Sequence, residues 1–191
     1  MNDTPVPPLR AFAGFLRQER TTLTESWRSA VFGDAGLVEA DKLTYGQLAD
    51  HLPEILDGIC TALDVEDLER VEPAIERDAR IHGKVRWQQG FRIDGPVHDL
   101  DLFRQVLDHA AETFAESNAA FTRRQEGRAR RLIDEALGLV TVTSLREVVT
   151  ERDRKIDEYT SSLERANHEL QLKQRLVSHL YDRVENWRAH R

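Results

Sequence analysis

From Leu145 to Trp187 the chain places an apolar residue at every third or fourth position. The series runs Leu145, Val149, Ile156, Tyr159, Leu163, Ala166, Leu170, Val177, Leu180, Val184 and Trp187, with Arg152 and Lys173 as its polar members. No glycine or proline falls inside it. An apolar period of 3.5 residues held this long specifies a left-handed coiled coil, because it keeps one stripe turned toward a partner helix. A lone helix cannot bury so narrow a stripe. At about 1.5 Å per residue such a helix is a rod of roughly 60 Å. Residues 141–191 are therefore read as a coiled-coil helix, 9–140 as a helical domain and 1–8 as a flexible leader.

Charge divides along the same line. Residues 1–119 hold 12 Lys and Arg against 22 Asp and Glu, whereas residues 120–191 hold 15 against 12. An acidic head argues against nucleic acid or an anionic membrane as partner. The single cysteine, Cys60, excludes an internal disulfide framework and fits a reducing compartment. The first residues carry no basic flank and no apolar core of a secretory signal, and no apolar run is long enough to span a bilayer. A cytoplasmic protein is expected.

Helical periodicity fills the head, and no alternating strand is found. The apolar series Leu9, Phe12, Phe15, Leu16, Leu23, Trp27, Val31 predicts one helix ending near Gly33. Thr44 is a fair N-cap for a second, interrupted by Pro53 and strongly amphipathic from Leu52 to Leu63. Pro73 opens a third and Gly95-Pro96 precedes a fourth, which carries Phe103, Leu107, Ala110 and Phe114. A fifth begins near Ala120 and continues into the rod. The β-branched run Val140–Thr143 marks a weak point in that helix. The fold class is all-α: a bundle or globin-like head with a long C-terminal coiled-coil helix.

The densest polar constellation is Ile81-His82-Gly83-Lys84-Val85-Arg86-Trp87-Gln88-Gln89-Gly90-Phe91. His82 and Arg86 share a helix face and Gln89 lies on the same side, so these three form a candidate ligand- or signal-sensing face. The plainer reading is a buried histidine bonded to a carbonyl, with a snorkelling arginine. Gly83 is placed to let another helix approach closely.

Asp50-His51-Leu52-Pro53-Glu54-Ile55-Leu56, then His82-Gly83-x-x-Arg86, then Gly90-Phe91, then Asp101-Leu102-Phe103 resembles the RsbRD-type N-terminal domain, over about residues 10–120. That domain stands at the front of stressosome co-antagonists and many bacterial sensor histidine kinases. The resemblance implies an all-helical, globin-related dimeric sensor in stress-response or two-component signalling. Its linker helix passes a state to an output domain. No output domain is recognisable within this chain, so an outside output domain or a protein signalling partner is implied.

Haem is the sharper form of that idea, with His51, His82, His98 and His109 as the histidines of the head. None has surroundings that single it out, the relatives do not imply haem, and no cofactor or metal is expected. Asn167-His168-Glu169-Leu170 is superficially similar to a kinase phospho-acceptor box but lacks the residues that follow one, and the heptad turns His168 outward. Cys60 reads as a small buried hydrophobe. Asp99 and Asp101 read as solvated. The arginines Arg123, Arg124, Arg128, Arg130 and Arg131 read as paired with neighbouring carboxylates. No nucleophile, metal loop or phosphate loop is present, so an enzyme is not expected. A non-enzymatic sensory domain, homodimeric and signalling through its coiled coil, is the reading reached. A structural coiled-coil protein without a ligand is the alternative, and a haem-binding globin-type sensor the next after it.

Overall fold

The structure, a computed structural model, describes residues 6–37, 39–48 and 51–190. Residues 1–5 of the leader, Asp50 of the family-like motif and the side chain of Trp187 lie outside the described residues. The rest is all-α, with no strand among the described residues. The helices are α1 (Pro8–Gln18), α2 (Arg20–Gly33), α3 (Tyr45–Leu48), α4 (Leu52–Val65), α5 (Glu72–Gln88), α6 (Gly95–Ser117) and α7 (Arg123–Ala189), with a 3-10 turn at Ala40–Lys42. Residues up to Thr150 form one compact unit and Glu151–Arg191 a second.

Helix starts follow local chemistry. Thr44 caps α3 reciprocally: its backbone N–H donates to Gln47 Oε1 at 2.9 Å, and Gln47 N–H donates back to Thr44 Oγ1 at 3.4 Å. Prolines stand in the first turns of α1, α4, α5 and α6, where a missing N–H costs nothing. The single helix expected from Leu9 to Gly33 is in fact two, divided at Glu19. Leu9, Phe12, Ala13 and Leu16 bury mainly against α4, whereas Leu23, Trp27 and Val31 bury mainly against α6. One straight helix cannot serve both partners, so the chain turns between them.

The core is continuous through α1, α2, α4, α6 and the first part of α7, which contributes Ala129, Leu132, Ile133, Ala136, Leu137 and Val140. Four phenylalanines, Phe12, Phe15, Phe114 and Phe121, lie with ring centroids 5.0–6.4 Å apart across α1, α6 and the turn after it. The expected weak point at Val140–Thr143 is regular helix. Thr141 folds its hydroxyl onto the Leu137 carbonyl, and Val140, Thr143 and Ser144 are buried.

Within the first unit α5 meets α7 almost backbone to backbone. A Cβ on Gly83 would lie 2.3 Å from the Ser144 carbonyl oxygen, and Ser144 Oγ donates to the Ala79 carbonyl at 2.8 Å. The obstacle is backbone, which cannot swing aside. Gly83→Ala is therefore expected to destabilise the protein by about 1–3 kcal/mol, the usual cost of overpacking. An unchanged urea midpoint would show that the two helices have room to separate.

In the second unit the helix continues to Ala189 without a break. Its apolar seam faces solvent in the single chain, with Ile156 53% and Leu163 65% exposed.

Candidate functional site: a buried charge centre under the head

α5 buries Ile75, Ala79, His82, Gly83 and Arg86, so its inward face turns from apolar to charged along its length. The helix closes at Gly90, whose φ of +82° only glycine adopts freely. Gly90 N–H donates to the Trp87 carbonyl and Phe91 N–H to that of Arg86, both at 3.0 Å. This closure brings the Phe91 ring to the Arg86 guanidinium, 5.1 Å from centroid to Cζ, and the Trp27 ring of α2 lies 5.8 Å from it.

Arg86 also satisfies several acceptors. Its Nε donates to Asp99 Oδ2 at 2.6 Å, its Nη1 to Gln89 Oε1 at 2.7 Å and its Nη2 to the Leu48 carbonyl at 3.0 Å. Gln89 Nε2 donates onward to the Gln47 carbonyl. Trp27 Nε1 donates to the Asp99 carbonyl at 2.8 Å. The His82 ring stands 3.4 Å from Asp99, too far for a well-formed hydrogen bond, and neither His82 Nε2 nor Asp99 Oδ1 has one elsewhere. The centre thus joins α2, α3, α5 and α6.

His82, Arg86 and Gln89 are brought together as the sequence places them, but His82 and Arg86 point into the protein and are engaged there. The snorkelling arginine of the plainer reading is instead an enclosed ion pair. Asp99, expected in solvated surroundings, is completely buried. The signal for it was its phase: Asp99 stands one turn before Phe103 on the apolar stripe that continues through Leu107, Ala110 and Phe114.

Burial alone would raise the Asp99 carboxyl, but the Arg86 charge, with His82 behind it, holds it below the ordinary range. For His82 burial dominates and lowers its affinity for a proton. Asp99 pulls the other way, while Arg86 and His51 reinforce the lowering. Cys60 is buried and its thiol is pushed up to about 12 by desolvation, so it is no nucleophile near neutral pH.

Three of the head's histidines have carboxylate neighbours. His82 is closed in against Asp99, His98 Nε2 lies 3.2 Å from Asp34, and His109 is an exposed residue 3.8 Å from Glu112. Among the described residues no three His, Cys, Asp or Glu side chains gather as for a metal, and no helix is long and apolar enough to cross a membrane. Arg130 is held by Glu126, Asp108 and Glu112, and Arg128 by Glu66.

A groove of about 590 Å³ is lined by Phe15 of α1, Leu23 of α2 and Leu102 and Val106 of α6, and a second of about 810 Å³ by α6 and α7. The first lies on α2 and α6, the helices that also supply Trp27 and Asp99. Neither known protein families, nor curated proteins, nor solved structures give a match to this chain.

Two outcomes follow. Removing one member of a buried ion pair strands the other, so Asp99→Ala or Arg86→Ala is expected to cost about 3–5 kcal/mol in denaturant titration. Loss of less than about 1 kcal/mol would mean that water reaches the centre. For His82 the folded state binds a proton less readily than the unfolded state, so stability falls as pH drops below the ordinary histidine value of about 6.5. The limiting slope is about 1.4 kcal/mol per pH unit. His82→Gln is expected to flatten the Tm profile between about pH 6.5 and pH 5; an equally steep profile in the variant would place the titrating group elsewhere.

Proposed function

We propose that this chain is a non-enzymatic sensory or regulatory protein of the RsbRD type, which pairs with a second copy and passes a conformational state along α7. The observation that carries this reading is the double use of one helix. Up to Thr150 α7 supplies buried residues to the head, and from Glu151 it bears an apolar heptad seam open to solvent. Covering that seam with a second helix removes apolar surface from water, the dominant driving force for association.

The signal enters, on this reading, where α2 and α6 line the apolar groove. A ligand or protein partner that spreads or closes those helices acts on the Trp27–Asp99 bond between them. Asp99 bears on Arg86 and His82 of α5, and Gly83 of α5 rests on Ser144 of α7. A shift of α5 thus reaches the helix that carries the seam through packed contacts, as coupling between distant sites requires. The reacting machinery of an enzyme has no place in this scheme. Downstream, an output domain or signalling partner reads the state of the paired helices.

Light scattering on the full chain tests the pairing. The unaltered protein is expected at twice its chain mass, and Ile156→Asp with Leu163→Asp at the mass of one chain, with helicity of the head retained. A mass that does not change between the two would remove the seam as the site of pairing.

A further inference from the structure

Ile156, Leu163, Leu170, Val177 and Val184 occupy the a positions of the seam, and Tyr159, Ala166, Lys173 and Leu180 the d positions. Three of these five a residues are β-branched, a choice that favours two strands. Lys173 is a charged d residue and is met by a carboxylate of its own helix, Glu169, at 2.7 Å. These layers say that two helices pair and little about direction.

Leu176 and Tyr181 lie outside the a and d series, yet they are large, apolar in body and well exposed, at 61% and 70%. They sit at g and e, the edges that flank a coiled-coil seam. Five residues separate them, about 140° around one helix at 3.6 residues per turn, so they cannot touch within a chain. In a parallel pair in register, however, g of one copy faces e of the other five residues on. The remaining flanking pairs in that arrangement are Lys155 with Thr160, Ser162 with Asn167, Glu169 with Gln174, and Arg183 with Arg188 at the last turn. Leu176 with Tyr181 is the apolar one.

An antiparallel pair sets g beside g and e beside e. Leu176 meets its own equivalent only if the helices cross near residue 175, which overlaps roughly residues 163–187. Ile156 and Tyr159 of both copies then stay in water, and Tyr181 faces Asn167. The parallel pair covers the whole seam and both extra residues.

We infer that Leu176 of each copy packs on Tyr181 of the other, and that this clamp fixes the paired helices parallel and in register. The inference rests on the proposed pairing of two copies through this seam. Two identical clamps form per pair, one on each side of the Val177 and Leu180 layers. Slippage by one heptad would set Leu176 against Gln174 or Arg188 and lose both.

The test uses the full chain, whose own Cys60 is buried and stays a thiol. Leu180→Cys, oxidised after purification, is expected to give a covalent dimer, because parallel register sets position 180 against itself. Leu176→Glu alone is expected to weaken the dimer by about tenfold, and Leu176→Glu with Tyr181→Lys to recover most of that loss through an ion pair between copies. A protein that is dimeric by mass but forms no covalent dimer through position 180 overturns the clamp while leaving the pairing intact. A double variant as weak as the sum of its single changes overturns it too. A protein that is one chain by mass overturns both the clamp and the pairing.

Discussion

A guanidinium and a carboxylate removed from water together lose several kcal/mol of hydration each, and their attraction offsets this only with close geometry and full hydrogen bonding. Arg86 and Asp99 meet the first part of that condition at 2.6 Å, with further donors of Arg86 on Gln89 and the Leu48 carbonyl and the Phe91 and Trp27 rings close by, but Asp99 Oδ1 is left without a hydrogen bond. Such a pair is a poor source of net stability and a strict one of geometry. The helices must bring Trp27, Leu48, Arg86 and Asp99 to one point or leave a charge stranded. The purely apolar part of the core, Phe12 to Phe121, sets no comparable condition on direction.

Small residues carry that geometry onward. Ala79 and Gly83 continue the inward face of α5 from the charge centre to Ser144, where the helices touch through backbone atoms. A contact this close, backbone on backbone with only the Ser144 hydroxyl between, has little slack. His82 stands beside this contact, with an imidazole disfavoured for protonation by burial, and adds a dependence on acidity to the same place.

Some helix starts were legible because their signals are local: Pro73 and Pro96 in the first turns of α5 and α6, and Thr44 as a cap, although the helix it caps is the short α3 and Pro53 opens α4 rather than interrupting one helix. The heptad series was legible for the same reason. The division at Glu19 was not, because the apolar rhythm of 9–31 stays helical while the partner changes from α4 to α6, and a rhythm does not name its partner. His82 and Arg86 were found as a pair, but not what they face. Asp99 is 13 residues from Arg86, and Trp27 is 72 from Asp99. Nothing in the neighbourhood of an acidic residue records so distant a base. Only its position on the apolar stripe of α6 distinguishes it from Asp101, which pairs on the surface with Arg104.

The proposed signalling requires that the charge centre of the head and the seam of α7 be coupled, so that a change in one is a change in the other. Amide hydrogen exchange on the unaltered protein and on an Asp99→Asn variant measures this directly, under conditions where both stay folded. Coupling predicts altered protection at residues 151–165 as well as in α5 and α6. Altered exchange confined to α5, α6 and their immediate contacts, with 151–165 unchanged, would contradict it.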